Sequence, residues 1–330
     1  MARERSRPNK GTKKADSTVG GPPTLGRVLS EHSPPSNALM HCRRPFAMGT
    51  FNACTAREEA RLIELARCAE ERGVEILGVQ EHRRVHTDYP ILYCRVERCM
   101  FISASAWRNE AQAATGGAGL MLGQRARKAF RRVYHHTNRI LSADFSGNPV
   151  TTVIVVYSPT NVAPSDVVEK FFEDLVRAVR GVPACNFLAI LGDFNARLGP
   201  EDAPFLYHDS TNRNGTYLTA FLMEHELRAA NTIFPKRTGK RWTFRDRASG
   251  TLRQLNYILV RKKWRNSILN AEPYSTCSSV GSDHRVVSMR VCLSLRVPKP
   301  STKIQDSWKA FSGDPGLQTR YTEEVRRRFQ

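Results

Sequence analysis

Phe187-Leu188-Ala189-Ile190-Leu191-Gly192-Asp193-Phe194-Asn195 opens with five apolar residues and no charge, then turns polar after a glycine. An uncharged run of this length reads as a strand buried on both faces. Residues two apart in an extended chain point the same way, so Asp193 and Asn195 share a face while Phe194 returns to the core. A carboxylate and a carboxamide then stand side by side at the end of a rigid strand. Such a pair can hold a water, the carboxylate taking its proton and the amide keeping it in line. The plainer alternative is a strand end followed by an Asx turn.

The 330 residues allow one domain of about 250 residues with tails. Lysine and arginine exceed aspartate and glutamate by 51 − 31 = 20. That excess points to a polyanionic partner, nucleic acid first and an anionic membrane surface second. Eight cysteines stand singly with no C-x-x-C pair, as expected of buried free thiols in a reducing compartment, nuclear or cytoplasmic. No apolar run approaches the roughly 20 residues of a membrane span, and the N-terminus lacks a signal-peptide core.

Residues 1–45, rich in Arg, Lys, Pro, Gly and Ser, read as a disordered basic tail, with Lys10, Lys13 and Lys14 clustered in it. The ordered domain is expected over 46–296, and 297–330 as a linker and an amphipathic helix with Leu317, Tyr321, Val325 and Phe329 spaced by four. Ala47–Asn52 reads as a strand, Thr55 and Glu58 as a capping box, and Leu62, Leu65, Ala66 and Ala69 as one helical face closed by Gly73. The next strand, Val74–Val79, ends at Gln80-Glu81, which completes a β-α-β unit with Asn52 and Glu81 at strand ends.

Val150–Val156 leads to Tyr157-Ser158-Pro159-Thr160, and a helix from Pro164-Ser165 carries the chain into the central strand as a second such unit. Gly116-Gly117-Ala118-Gly119, with no G-K-[ST] after it, reads as a strand bend and not a phosphate loop. Later strands are expected over Trp242–Phe244, Gln254–Val260 and Val286–Leu295. His82 and His86 lack a third ligand and read as surface residues, not a zinc site. Basic patches offered to nucleic acid are Arg125, Arg127, Lys128, Arg131 and Arg132; Lys236, Arg237, Lys240 and Arg241; and Arg261, Lys262, Lys263 and Arg265.

Asn52, Glu81, Tyr157, Asp193, Asn195, Asn256, Asp283 and His284, in this order, resemble the endonuclease/exonuclease/phosphatase superfamily. The motifs are Thr50-Phe51-Asn52, Gln80-Glu81, Tyr157-Ser158-Pro159-Thr160, Gly192-Asp193-Phe194-Asn195 and Ser282-Asp283-His284. A narrower resemblance is to the endonuclease domain of non-LTR retrotransposons, particularly RTE-like elements and their craniofacial-development-protein-like relatives. It rests on Gln80-Glu81-His82-Arg83, on Gly192 to Gly199, on Asn231-Thr232-Ile233-Phe234, on Tyr257-Ile258-Leu259 with Trp264-Arg265, and on the tail from Trp308 to Phe329.

The resemblance implies an α/β fold, a four-layer α-β-β-α sandwich, and Mg²⁺-assisted phosphodiester hydrolysis of DNA, with Mn²⁺ as a substitute metal. It implies that Glu81 holds the metal with support from Asn52 and Asp283, and that Asp193 activates a water oriented by Asn195. Tyr157 and His284 would donate to the phosphate oxygens, and the product would be a nick with a 3′-hydroxyl. Element RNA and a reverse transcriptase domain would be the partners in an intact element.

Family members typically carry Asp where Asn256 stands, so the hydrogen-bond partner of the catalytic His here lacks a charge. That departure keeps a second reading open, a catalytically inactive nucleic-acid-binding protein on the same fold. A phosphatase of the same superfamily is a third.

Overall fold

The strand Phe187–Asp193 divides the core. Phe187, Ala189 and Leu191 enter one apolar cluster, Leu188 and Ile190 another, so both faces are buried as the uncharged run implies. The first cluster fills the space between two sheets. The second lies beneath the helices Ser165–Arg180 and Arg213–Glu224, and a third packs the helix Glu59–Glu71 onto the outer face of the other sheet. The layers run α-β-β-α in the computed structural model, which describes residues 39–40, 44–274, 281–293 and 313–328. All of these belong to one compact unit, Pro34–Gln330.

One sheet orders Ile268–Tyr274, Val286–Val291, Phe46–Asn52, Val74–Gln80, Ala118–Leu122, Cys99–Ala104 and Ile91–Val96. The other orders Leu227–Ala229, Asn256–Arg261, Phe187–Asp193, Thr151–Tyr157, Ile140–Phe145 and Phe130–Thr137. Each holds one parallel pair joined through a helix, Phe46–Asn52 with Val74–Gln80 and Thr151–Tyr157 with Phe187–Asp193. Both expected β-α-β units are therefore present.

The two sheets approach closely at Gly78, where a Cβ would lie 2.9 Å from Leu191 Cβ of the facing sheet. Gln80 bridges the same gap: its Oε1 accepts from Thr50 Oγ1 (3.1 Å) and its Nε2 donates to the Leu191 carbonyl (3.5 Å). A buried amide satisfied from both sheets fixes their relative offset.

Several expectations need correction. The Thr55/Glu58 capping box does not form: the first helix starts at Glu59 behind Glu58, which makes no side-chain cap. Leu39 and Met40, placed in the tail, are buried, and Leu39 N donates to the Ser146 carbonyl (2.9 Å). His82 is fully buried and not a surface residue. Its ring meets the edge of Phe101, and burial pushes its pKa down to about 3.

Cys68 is in a disulfide, against the expectation of free thiols, while Cys54, Cys94, Cys99, Cys185 and Cys292 are free. Leu317, Tyr321 and Val325 lie on the helix Pro315–Arg328 but are exposed. Residues 1–38, the tail segment from Trp308 to Ser312 and Phe329 lie outside the described residues. Among the described residues no helix is long and apolar enough to cross a membrane.

Candidate active site

Because both parallel pairs end on the same side, their terminal polar residues meet. Asn52 follows from one sheet and Asp193 from the other, and Asn52 Nδ2 donates to Asp193 Oδ2 at 2.9 Å. Asn195 N donates to Asp193 Oδ1 (3.1 Å), which is an Asx turn. The turn and the presentation of both side chains to a cavity are thus one structure. Asn195 Nδ2 donates to the Ser158 carbonyl (3.0 Å), so the amide oxygen is the atom left for a ligand.

Asn52, Glu81, Tyr157, Asp193, Asn195, Asp283 and His284 all line one cavity of about 580 Å³. Asn256 stands behind it, where its Oδ1 accepts from His284 Nδ1 at 2.9 Å. The imidazole therefore carries its Nδ1 hydrogen toward Asn256 and turns Nε2 forward, 3.8 Å from both Asp193 Oδ2 and Asp283 Oδ1. Asn256 Nδ2 is buried without a hydrogen-bond partner.

The loop bearing Asp283 and His284 is fastened on three sides. Ser282 Oγ donates to the Asn52 carbonyl (2.7 Å), Arg245 N to the Asp283 carbonyl (2.9 Å) and Arg285 N to the Thr243 carbonyl (2.7 Å). The last two contacts come from the hairpin Phe244–Arg245 with Leu252–Arg253, which replaces the strand expected over Trp242–Phe244. Phe244 also packs on the His284 ring, with centroids 4.8 Å apart.

Backbone conformation supports the same assembly. Seven non-glycine residues among those described have left-handed φ, and four of them are Cys54, Glu81, Arg83 and Asn195, all lining this cavity. Such conformations persist where surrounding contacts over-determine them, commonly at functional sites.

Tyr157 is pushed to a higher pKa by burial first and then by the charges of Glu81 and Asp193, so it stays an O–H donor at neutral pH. Sequence reasoning missed what holds it. The Arg139 guanidinium lies 4.2 Å from the Trp107 ring centre and 5.4 Å from that of Tyr157, and Arg139 Nη1 donates to the Tyr157 carbonyl (3.2 Å). Gly116 makes room for this stack, since a Cβ there would lie 2.0 Å from Trp107. Nothing local in the sequence signals a pairing of residues 107, 139 and 157.

Cys54 was also missed, although it follows Asn52 by two. Its thiol donates to Asp283 Oδ1 (2.8 Å), and burial, reinforced by that hydrogen bond, raises its pKa to about 12. Arg83, to which the sequence assigned no role beyond the motif Gln80 to Arg83, meets Glu81 Oε1 through its Nη2 at 3.2 Å.

The expected basic patches divide. Gln80 pairs with Ala118 and Ile76 with Leu122, so the helix Gln124–Ala129 begins at the end opposite the cavity. There Arg125 is tied to the Leu39 and Pro45 carbonyls, Arg127 to the Arg98 carbonyl and Arg132 to Asp144, while Lys128 and Arg131 are exposed. Asp193 pairs with Asn256 and Ala189 with Val260, which puts Lys262 and Lys263 at that far end too, Lys263 against the Ala184 carbonyl. Lys240 and Arg241 lead into Thr243, whose hydroxyl accepts from Asn256 N (3.1 Å), but the Arg241 guanidinium is tied to the Lys236 and Leu206 carbonyls and none of this patch lines the cavity. The cations that line the cavity itself are Arg83, Arg197 and Arg253.

The donor set suits a hard cation. Three carboxylates, Glu81, Asp193 and Asp283, line the cavity with amide and phenol oxygens. Among the described residues no three His, Cys, Asp or Glu side chains close around a point. Mg²⁺ needs no such cage, because one or two carboxylates, waters and a substrate phosphate complete its octahedron. Asn52, expected to support the metal, has its Oδ1 occupied by Cys54 N (2.9 Å) and its Nδ2 by Asp193.

The chain is 29% identical to craniofacial development protein 2 of Bos taurus over 294 residues, 84% of this chain and 46% of that protein. It is 28% identical to the Tragulus javanicus protein, again over 84% of this chain and 48% of the relative. The chain thus spans about half the length of the curated relatives it matches. Among solved structures it superposes on a 3′-5′ exonuclease (NExo) from Neisseria meningitidis with a TM-score of 0.59 at 17% identity, over 75% of this chain and 100% of that one. The endonuclease domain of TRAS1, a telomere-specific non-LTR retrotransposon, gives 0.53 at 16%, over 76% and 99% of the two chains. An AP endonuclease from Leishmania major gives 0.59 at 12%, over 76% and 89%. No family model matches the chain. The fold is that of the endonuclease/exonuclease/phosphatase nucleases.

Proposed function

We propose that this chain is a Mg²⁺-dependent DNA endonuclease of non-LTR retrotransposon type, which hydrolyses a phosphodiester and leaves a 3′-hydroxyl nick. The observation that carries the reading is the Asp193 carboxylate, buried, held by Asn52 and Asn195, and facing His284 Nε2 across a cavity. Asp193 accepts a proton from the attacking water, and the free amide oxygen of Asn195 holds that water's other hydrogen. Tyr157 donates to the phosphate oxygens as charge develops there, and His284 does so from Nε2 when the ring carries a proton on both nitrogens. Glu81 and Asp283 would hold Mg²⁺, or Mn²⁺ in its place, which would supply neutralisation of the phosphate charge. A 3′-hydroxyl is the end a reverse transcriptase extends, which is the partner such a nick would serve.

One observation favours a second reading. Asn256 backs His284 with a neutral amide whose Nδ2 is buried and unpartnered, as in a site that retains the fold and binds DNA without cutting it. Nicking of supercoiled plasmid, with Mg²⁺ and with EDTA, decides between them. Asp193→Ala should abolish Mg²⁺-dependent nicking and leave DNA binding intact. A variant that nicks at the wild-type rate would remove Asp193 from the mechanism, and an inert wild type would leave the binding protein.

A further inference from the structure

Beside the catalytic cavity lies a second one of about 230 Å³, lined by Arg57, Arg83, Arg84, His86 and Arg108. Arg83 lines both, so the two adjoin at the Glu81 side of the site. No carboxylate is among the lining residues of the smaller cavity. Arg83 has one carboxylate partner, Glu81 Oε1 at 3.2 Å; the other three guanidinium groups repel one another unless an anion or a thick layer of water separates them. The volume is several times the ~30 Å³ share of one water, enough for a phosphate group with waters.

The hydrogen bonding of these arginines is incomplete in a directed way. Arg83 Nε and Arg84 Nε are buried with no hydrogen-bond partner. Buried donors without partners are rare, and these two N–H groups mark a neighbourhood short of acceptors. Arg84 is otherwise fixed, with Nη1 on the Arg57 carbonyl (2.8 Å), and Arg108 Nη1 rests on the Gln112 carbonyl (2.9 Å). Arg83 has left-handed φ (56°) with its N–H on the Gly116 carbonyl (2.9 Å), which fixes its backbone at the boundary of the two cavities.

We infer that this cavity binds a second phosphate of the nucleic-acid strand, the one flanking the scissile phosphate on the Glu81 side. Planar guanidinium forks match phosphate oxygens two at a time, which is why arginine serves this purpose better than lysine. The inference rests on the reading of the larger cavity as the place of the scissile phosphate. It also narrows the substrate: a strand with a phosphate beyond the one attacked, rather than a small phosphomonoester.

The test is a binding experiment in EDTA, so it does not depend on cleavage. A short DNA duplex carries one neutral methylphosphonate, moved position by position, and is titrated against wild type and Arg57→Gln/Arg108→Gln. Both replaced side chains are exposed, and Arg57→Lys/Arg108→Lys serves as the charge-retaining control. In wild type, one position should weaken binding about tenfold, in the range of a charge-assisted contact. The Gln variant should bind natural DNA about tenfold less tightly, with a log–log salt slope smaller by up to about two, and be indifferent at that position. The Lys variant should keep most of the salt slope.

A variant as sensitive to that neutral phosphate as wild type, or a wild type indifferent to every position, overturns the inference. So does displacement of DNA by inositol trisphosphate from wild type and not from the variant, which would assign the cavity to a small phosphomonoester. Failure of the nuclease reading looks different: the methylphosphonate signature would stand while Mg²⁺-dependent nicking was absent.

Discussion

Asn52 Nδ2 donates to Asp193 Oδ2 at 2.9 Å, and the two residues belong to different sheets. Both are almost wholly buried, with relative exposures of 2% and 1%. One amide therefore does two things: it satisfies half of a buried carboxylate, and it sets that carboxylate's rotation toward His284.

Asn52→Ala leaves Asp193 Oδ2 without a partner and should cost about 1–3 kcal/mol of stability, the range for an orphaned buried polar group. Nicking should fall further than the loss of folded protein explains, because the base loses its orientation. Urea unfolding and plasmid nicking on the same preparation check this. Equal stability in both proteins would show that the bond is compensated elsewhere.

Asn256→Asp places a charge behind His284 and removes the unpartnered Nδ2. The nicking rate should rise about tenfold, the low end of acid–base assistance, with DNA affinity unchanged. Single-turnover rates at saturating protein separate the two. A rate equal to wild type would mean that the amide already orients the imidazole sufficiently.

His82 gives the fold an acid sensitivity. Burial holds its pKa at about 3, below the ordinary value of 6.5, so the folded state excludes a proton that the unfolded chain accepts. The stability contributed by this group is complete above 6.5 and is lost as pH falls from 6.5 toward 3. At pH 5 the loss is about 2 kcal/mol, at ~1.4 kcal/mol per pH unit. His82→Gln, which keeps an acceptor for the Arg84 N–H, should flatten that part of the stability–pH curve in urea titrations. An unchanged slope would place the acid sensitivity elsewhere.

Neutralising the far-end cations should matter little to DNA. Lys128→Gln/Arg131→Gln should change affinity less than about twofold, since exposed charges beyond a Debye length are screened at physiological salt. Arg245→Gln/Arg253→Gln, on the hairpin beside His284, should weaken binding about tenfold and lower the salt slope by up to about two. Electrophoretic mobility shifts at several salt concentrations measure both. Comparable losses from the two pairs would extend the DNA path to the far end of the sheets.

The two β-α-β units and the polar strand ends were legible because burial on two faces demands a continuous apolar run, as in Phe187–Leu191. Asn52, Asp193 and His284 were legible because each follows such a run or a short fixed motif. Cys54 and the Trp107–Arg139–Tyr157 stack were not, since their partners are 229, 32 and 50 residues away and no periodicity encodes them. The place of the patches at Arg125 and Lys262 was not legible, because a run of charge says nothing about which end of a strand it will occupy. Antiparallel pairing decided that, and it sent them away from the cavity.

Glu81 and Asn52 come from one sheet, Tyr157 and Asp193 from the other, and Gln80 spans the gap beneath them. Neither half alone contains both a candidate metal ligand and the base. A nascent or partly unfolded chain, with its halves undocked, would thus be chemically silent toward any DNA it met. Any cleavage by the proposed site would be gated by the molecule's own completion, so damage that loosens the sheets would disarm that site before it unfolds the chain.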